Sequence, residues 1–191
     1  VGALKVMGAR MPEAEMQPLV DAWRAANPSI VAFWGALDAA ARRVVRDRTS
    51  VRVGKVMLFW QDNRMFIELP AGRRLCYTAP RLIENRFGGT GVGYLAPGAS
   101  GKLMLQETFG GKLVENICQS VARDLLAHAM MNLTAAGYPI VFHVHDEVVL
   151  EMPFGEGSVE EACAIMSIAP AWAENLPLRA DGGEMEFYRK E

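Results

Sequence analysis

Two histidines and two acidic residues are concentrated in one short stretch of the chain, His143-Val144-His145-Asp146-Glu147. Apolar residues recur at every second position before it, and an apolar run rich in valine follows it. This alternation predicts a β-hairpin with His145, Asp146 and Glu147 at its tight turn. Adjacent carboxylates beside buried strands repel each other and are costly to desolvate, and a divalent cation would offset both costs. The stretch is therefore a candidate metal-dependent site, although acids at a loop tip also serve simply to keep it hydrated.

A long helix is predicted directly before this hairpin, over residues 112–136, with Gly137 as its C-cap residue. Its predicted apolar face consists of Val114, Ile117, Cys118, Val121, Ala122, Leu125, Ala129 and Leu133. Lys112, Gln119 and Arg123 fall on a polar stripe, because residues three or four positions apart share one side of a helix. Since this helix ends just before the first strand of the hairpin, the two elements are expected to pack together.

The remaining segments also have recognisable patterns. Residues 11–48 are predicted to form two helices separated at Asn27-Pro28, since the residue before proline avoids helical geometry. Residues 51–80 switch to strand periodicity, with a hairpin around Pro70-Ala71-Gly72. Residues 87–101 are rich in glycine, alanine and proline and predict an exposed loop. A helix over residues 156–166 and a final extended segment over 176–188 complete the chain.

Composition narrows the classes of function. The 191 residues allow one domain, or one domain with a small appendage, and 51% hydrophobic content suffices for a core. The net charge of −2 argues against a basic nucleic-acid-binding module, so any contact with nucleic acid must come from a local patch. Cys76, Cys118 and Cys163 lack metal-ligand spacing and predict free, buried thiols in a reducing cytosol. The sequence contains no long apolar run or signal peptide that would predict membrane insertion or export.

Several motifs resemble those of family A DNA polymerases, the group of bacterial DNA polymerase I and related phage enzymes. Val144-His145-Asp146-Glu147 resembles motif C, which lies at the tip of a palm hairpin in that family. Residues 113–126 are similar to the palm helix that precedes motif C, and Gln119 matches its glutamine, which faces the minor groove of the primer–template. Residues 69–77 resemble a segment of the phage branch. Residues 23–34 resemble the helical segment that follows motif B.

The resemblance implies an α+β fold and a polymerase function. Residues 1–48 would be a helical hairpin remaining from the fingers. Residues 49–191 would be a palm subdomain with a β-hairpin insertion and a C-terminal segment, in which the long helix packs an antiparallel sheet containing the motif C hairpin. The reaction would be template-directed nucleotidyl transfer by a two-metal mechanism. The protein would act in the cytoplasm of a bacterial or phage-infected cell.

The resemblance also implies roles for individual residues. Asp146 and Glu147 would be catalytic, and Asp146 would be a Mg²⁺ ligand. The DNA-contacting residues would be His145, Gln119, Arg123 and Lys112. The partners would be primer–template DNA and deoxynucleoside triphosphates.

Motifs A and B of the family are not found in this sequence. Asp62 and Glu68 are one residue too far apart for the motif A pattern Asp-x-Ser-x-x-Glu, and the serine is lacking. The chain is therefore expected to be the C-terminal third of a polymerase domain that begins just after motif B and depends on the N-terminal part of the polymerase. The isolated chain is expected to be inactive, to bind Mg²⁺ weakly, and to self-associate through apolar surface near residues 1–30.

Two other hypotheses about the function remain open when only the residues are considered. The first is a non-catalytic module that keeps the palm scaffold and binds primer–template DNA or another protein. The second is a metal-dependent hydrolase that uses Asp146, Glu147 and a histidine. His143 and His145 lie two positions apart on one predicted strand, and no pattern supplies a third ligand.

Overall fold

The structure is a computed structural model that describes Gly8, residues 10–85 and residues 88–188. The helices of this part are α1 (Glu13–Ala26), α2 (Pro28–Asp47), α3 (Gly110–Ala135) and α4 (Val159–Met166). Its strands are β1 (Ser50–Val53), β2 (Val56–Gln61), β3 (Arg64–Glu68), β4 (Arg74–Glu84), β5 (Thr90–Pro97), β6 (Leu103–Thr108), β7 (Ile140–Val144) and β8 (Glu147–Leu150). The predicted α+β class is confirmed.

The described residues form two compact units. The first contains the residues up to Ile67 together with Cys76–Glu115, and the second contains Glu68–Leu75 and the residues from Asn116 onward. None of the helices that the structure describes is long and apolar enough to span a membrane. The assignment of residues 1–48 to fingers and residues 49–191 to palm stays a prediction.

The predicted helical pair is present in the first unit as α1 and α2. Pro28 is the first residue of α2 and Asn27 caps it, so the chain breaks between the helices where the sequence predicts. The rings of Trp23 and Trp34 stack across the pair with centroids 5.7 Å apart. The buried face of α2 consists of Leu37, Ala40, Ala41, Val44 and Val45. This face packs on β1 and β2.

Apolar surface is exposed on this helical pair, as expected. Leu19, Trp23 and Ile30 are all exposed. Residues 1–7, which belong to the segment expected to mediate self-association, lie outside the described residues. Self-association itself stays a prediction.

Strands β1 to β6 form one antiparallel sheet in which each strand neighbours the next in sequence. Asp62 and Asn63 connect β2 to β3, and both have positive φ, 48° and 58°. Two consecutive positive φ values match the turn type that suits a two-residue hairpin loop, and Asp and Asn tolerate that conformation. The core face of the sheet buries Val56, Leu58, Met65, Ile67, Tyr77 and Val92.

The prediction of an exposed loop over residues 87–101 is wrong, because β5 runs from Thr90 to Pro97 between β4 and β6. Gly93 is buried in this strand. A Cβ atom there would lie 2.9 Å from Leu105 Cδ1 and 3.0 Å from Ile83 Cδ1. The glycine that lowers the strand propensity of this segment thus makes room for side chains of the two neighbouring strands. Local composition cannot reveal that requirement.

In the second unit, β7 and β8 form a hairpin and the last turns of α3 pack against it, as predicted. Leu133, Tyr138 and Ala162 form a buried cluster. Partly buried residues of the hairpin pack on it, including Ile140, Val148 and Leu150. Among the described residues the hairpin is a separate two-stranded sheet. The expected antiparallel sheet around the hairpin therefore consists of β7 and β8 alone and does not include the strands of the six-stranded sheet.

The buried face of α3 differs in part from the predicted one. Ile117, Ala129 and Leu133 are buried as expected. Cys118 and Ala122 are exposed, however, and Leu113 and Leu126 are buried in addition. The apolar surface that the helix buries is therefore rotated from the face that periodicity alone selects, because apolar residues surround much of this helix.

The last part of the chain is less regular than predicted. Helix α4 begins at Val159 rather than at residue 156, because Ser158 caps it by accepting a hydrogen bond from the Glu161 N–H at 3.0 Å. A short 3₁₀ helix follows at Ala171–Ala173. The described residues from 176 to 188 contain no β-strand, so the final segment lacks the pairing of a regular strand.

We expect Gly110→Ala to lower the free energy of unfolding by about 1–3 kcal/mol, the range typical of overpacking. A Cβ atom at Gly110 would overlap the carbonyl oxygen of Trp34 and lie 2.7 Å from its carbonyl carbon. Gly111→Ala is the matched control, because its Cβ would meet only the exposed ring of Phe109, at 3.2 Å. Helix propensity should make this control neutral or stabilising by up to about 1 kcal/mol. Equal urea midpoints for the two variants would contradict the close approach of α3 to α2.

Candidate active site

The tip of the hairpin is a two-residue turn made of His145 and Asp146. Val144 pairs directly with Glu147, so these two residues close the ladder on either side of the turn. His145 has a φ of 52°, in the left-handed region that residues with a Cβ atom rarely adopt. Such strain often occurs at functional positions. The prediction of a hairpin is confirmed, with the refinement that Glu147 is the first residue of β8 and not part of the turn.

The register assigns the side chains of the hairpin to two faces. Cross-strand partners share a face, as do alternate residues along a strand. Val144 and Glu147 therefore lie on the same face as the pair Phe142 and Val149. His143 pairs with Val148 on the opposite face, and Val148 packs on the buried cluster that includes Leu133 of α3.

The carboxylate of Asp146 is exposed. Among the residues that the structure describes, no side chain forms a hydrogen bond or an ion pair with it. Both oxygens are thus available to a ligand. His145, also exposed, is its neighbour in the turn.

Glu147 is half-buried, and Tyr188 is its side-chain partner among the described residues. Its Oε2 accepts a hydrogen bond of 3.1 Å from the hydroxyl of Tyr188. This bond to the carboxylate raises the pKa of Tyr188 above its ordinary value. The aromatic rings of Tyr188 and Phe142 also meet edge to face, with centroids 5.0 Å apart.

On the other face of the hairpin, the guanidinium of Arg123 approaches the ring of His143. Arg123 Nη2 lies 3.4 Å from His143 Nε2. Gln119 lies one helical turn before Arg123, and both side chains are exposed. The structure therefore brings Gln119 and Arg123 to one side of α3, with His143 rather than His145 as the histidine beside Arg123.

Lys112 lies in the first turn of α3 and in the first compact unit. It is exposed and pairs with Glu115 at 3.2 Å. An exposed pair of this kind contributes little to stability.

Sequence reasoning missed an ion pair that fixes the middle of α3. Arg73 Nε donates to Asp124 Oδ1 at 2.7 Å, and Arg73 Nη2 donates to the Ser120 carbonyl at 2.8 Å. The Asp124 side chain is only 12% exposed, so this pair is less screened than one on the surface. The segment that carries Arg73 is thereby tied to the helix that presents Gln119 and Arg123. The sequence gives no local signal for this pair, because 51 positions separate its members.

A second missed contact connects the start of the hairpin to α4. The Tyr138 hydroxyl donates to Glu161 Oε2 at 2.7 Å and accepts from the Ser158 N–H at 3.2 Å. The hydrogen bond to Glu161 raises the pKa of Tyr138. A signal exists in the sequence, because Ser158 and Glu161 have the spacing of a capping box. The tyrosine that joins this box comes from a distant position and could not be identified.

The chemistry of the donor set fits a hard divalent cation. Asp146 and Glu147 offer carboxylate oxygens, which Mg²⁺ prefers, and that ion usually keeps several waters and uses substrate phosphates as further ligands. Three or more His, Cys, Asp or Glu side chains are nowhere grouped as a metal site among the described residues. The hairpin can therefore contribute part of a magnesium site.

Over its whole length the chain is similar to a known protein, the DNA polymerase of Bacillus phage SP02. The two are 44% identical over 195 aligned positions, which cover 100% of this chain and 30% of that polymerase. The chain thus spans less than a third of the length of the relative it matches. No family model matches the chain. No solved structure matches it either.

We expect the Tyr138–Glu161 bond to make stability depend on pH in the alkaline range. The folded state holds the phenolic proton more tightly than the unfolded chain, because the folded-state pKa is raised above 10.0. This contribution is fully present below the unfolded pKa and is lost as pH rises through the folded-state pKa. Tyr138→Phe should therefore be less stable at neutral pH, and it should lose less stability than the wild type as pH rises above about 10, the ordinary pKa of tyrosine. Urea unfolding across that range measures both effects.

Tyr94→Phe is the control for this measurement, since it removes a phenol hydroxyl that makes a long contact of 3.5 Å with Gln106 Oε1. Tyr188 contributes in the same direction as Tyr138 and remains in both proteins. Identical alkaline slopes for Tyr138→Phe and the wild type would contradict the proposed linkage.

Proposed function

We propose that this chain is part of a family A DNA polymerase and supplies a metal-binding aspartate for template-directed nucleotidyl transfer. The observation that carries the proposal is the 44% identity to a phage DNA polymerase over the full chain. The hairpin supports it at the level of residues, since Asp146 lies exposed in a two-residue turn with Glu147 next to it. This is the geometry implied by the resemblance of residues 144–147 to motif C.

Each group at the hairpin tip has a role in this proposal. A pair of Mg²⁺ ions, when bound, neutralises the triphosphate and lowers the pKa of the primer hydroxyl. Asp146 would hold such an ion with its free carboxylate. Glu147 would act beside it from the start of β8, where its movement is restricted by the strand and by Tyr188. A second aspartate, from another part of the polymerase, would complete the metal site.

Helix α3 would contact the primer–template. Gln119 and Arg123 are exposed one turn apart, and their side chains donate hydrogen bonds. Every base pair presents acceptors in the minor groove, so these donors can test the shape of a pair without reading its sequence. His145 and Lys112 are proposed as further DNA contacts. Such contacts need no basic chain overall, which agrees with the net charge of −2.

The wider assignments follow from the same resemblance. Residues 1–48 would belong to the fingers and residues 49–191 to the palm. The remainder of the polymerase would be the partner of this chain, and deoxynucleoside triphosphates would be its substrates. The enzyme would act in a bacterial or phage-infected cell.

Asp146→Ala should abolish primer extension by the complete polymerase. Loss of an outer-shell partner of a catalytic metal already costs about 10- to 100-fold, so loss of a ligand should cost more than about 100-fold. Glu147→Ala should reduce the rate less than Asp146→Ala does, because in the proposed site Asp146 binds the metal ion and Glu147 lies beside it. Single-nucleotide primer extension with Mg²⁺ measures both effects.

Glu156→Ala is the matched control, because it removes an exposed carboxylate outside the hairpin. It should extend primers at the wild-type rate. Wild-type rates for Asp146→Ala would refute the catalytic assignment and favour a module that binds primer–template without catalysis.

Gln119→Ala should weaken extension by about tenfold, in line with about 1–3 kcal/mol for a good contact to a base edge. Its effect on the free energy of unfolding should stay within about 0.5 kcal/mol, because the side chain is exposed. Gln17→Ala on α1 is the control, since Gln17 is also an exposed helical glutamine. A large drop in melting temperature for Gln119→Ala would instead indicate a structural role.

A further inference from the structure

The C-terminal segment reaches back to the hairpin that carries the two acids. Tyr188 is 41 positions from Glu147 in sequence, yet its hydroxyl lies 3.1 Å from Glu147 Oε2. Its ring meets the ring of Phe142 at 84° and a centroid distance of 5.0 Å. The strand register places Phe142 and Glu147 on the same face of the hairpin. One side chain therefore contacts this face at two points.

These two contacts complement each other physically. Edge-to-face packing fixes the direction in which the Tyr188 ring points, since aromatic rings prefer this arrangement. A ring held in this way keeps its hydroxyl group at a defined position. A glutamate side chain has several rotatable bonds and is costly to hold in one orientation without a partner. The hydrogen bond from Tyr188 is made to Oε2 of Glu147, and Oε1 has no hydrogen-bond partner among the described residues.

We propose that Tyr188 is a positioning residue that orients the Glu147 carboxylate beside Asp146, so that the C-terminal segment forms part of the active site. This inference rests on the proposed polymerase function and extends it to a residue outside the motif C stretch. Tyr188 acts through Glu147 and touches no reacting atom. The ring of Phe142 supports it by holding the phenol in place.

The test uses the complete polymerase that contains this chain. Steady-state single-nucleotide primer extension gives kcat and the KM for nucleotide for wild type, Tyr188→Phe, Glu147→Ala and the double variant. Tyr188→Phe keeps the ring on Phe142 and removes only the hydroxyl. Loss of a hydrogen bond to a charged group predicts a decrease in kcat of about tenfold, with the KM for nucleotide little changed.

The double variant separates positioning from general support of the fold. If Tyr188 acts through Glu147, Tyr188→Phe should have no further effect on kcat in the Glu147→Ala background. Phe142→Leu should reproduce a smaller decrease in kcat, and that decrease should also disappear in the Glu147→Ala background. Tyr94→Phe, which removes a tyrosine hydroxyl from the first unit, should leave kcat unchanged. Melting temperatures of all variants are measured in parallel.

The outcomes distinguish this inference from the proposed function. An active wild type with an unaffected Tyr188→Phe variant would overturn the inference and leave the polymerase function standing. Equal losses from Tyr188→Phe in both backgrounds would also overturn it, because the tyrosine would then support the fold independently of Glu147. A wild-type polymerase without template-dependent extension would overturn the proposed function and this inference together.

Discussion

The connection between α3 and β7 is the constraint on which the candidate site depends. At Gly137 the φ is 88°, a conformation open to glycine at little cost. The Gly137 N–H bonds to the Thr134 carbonyl at 3.1 Å, and the Tyr138 N–H bonds to the Leu133 carbonyl at 3.0 Å. This pair of bonds is the Schellman arrangement, which ends the helix and turns the chain back. Tyr138 is thereby buried against Leu133, and the hairpin begins from a fixed point.

The same geometry explains why the hairpin can present its acids. One face, with Val148, is used for packing on the buried cluster, while Phe142 and Glu147 lie on the other face. Asp146 avoids both faces because it occupies the turn. Its side chain is exposed, so the fold does not bury this carboxylate. Within the part of the chain that the structure describes, Asp146 has no ion pair that a cation would have to displace.

The periodicity of apolar residues predicts the helices and strands of this protein better than it predicts the contacts that hold them in place. Helices α1, α2 and α3 and the β7–β8 hairpin carry repeated apolar spacing and clear end signals, so all four are predicted. Strand β5 is not, because its glycines are explained only by side chains of neighbouring strands. The Arg73–Asp124 and Tyr138–Glu161 contacts join residues 51 and 23 positions apart, and no local pattern encodes such pairs. The sequence pattern assigns Glu147 to the turn, whereas the strand register makes it the first residue of β8.

The ion pair of Arg73 with Asp124 also bears on how α3 can serve a binding function. Arg123 and Asp124 are consecutive, so their side chains leave the helix about 100° apart. Asp124 is therefore held by Arg73 on one side of α3, while Arg123 remains exposed on another side. The Arg73–Asp124 ion pair that holds α3 therefore leaves Gln119 and Arg123 exposed to solvent. If Gln119 and Arg123 contact DNA as proposed, their position on a regular helix would leave little entropy to lose on binding.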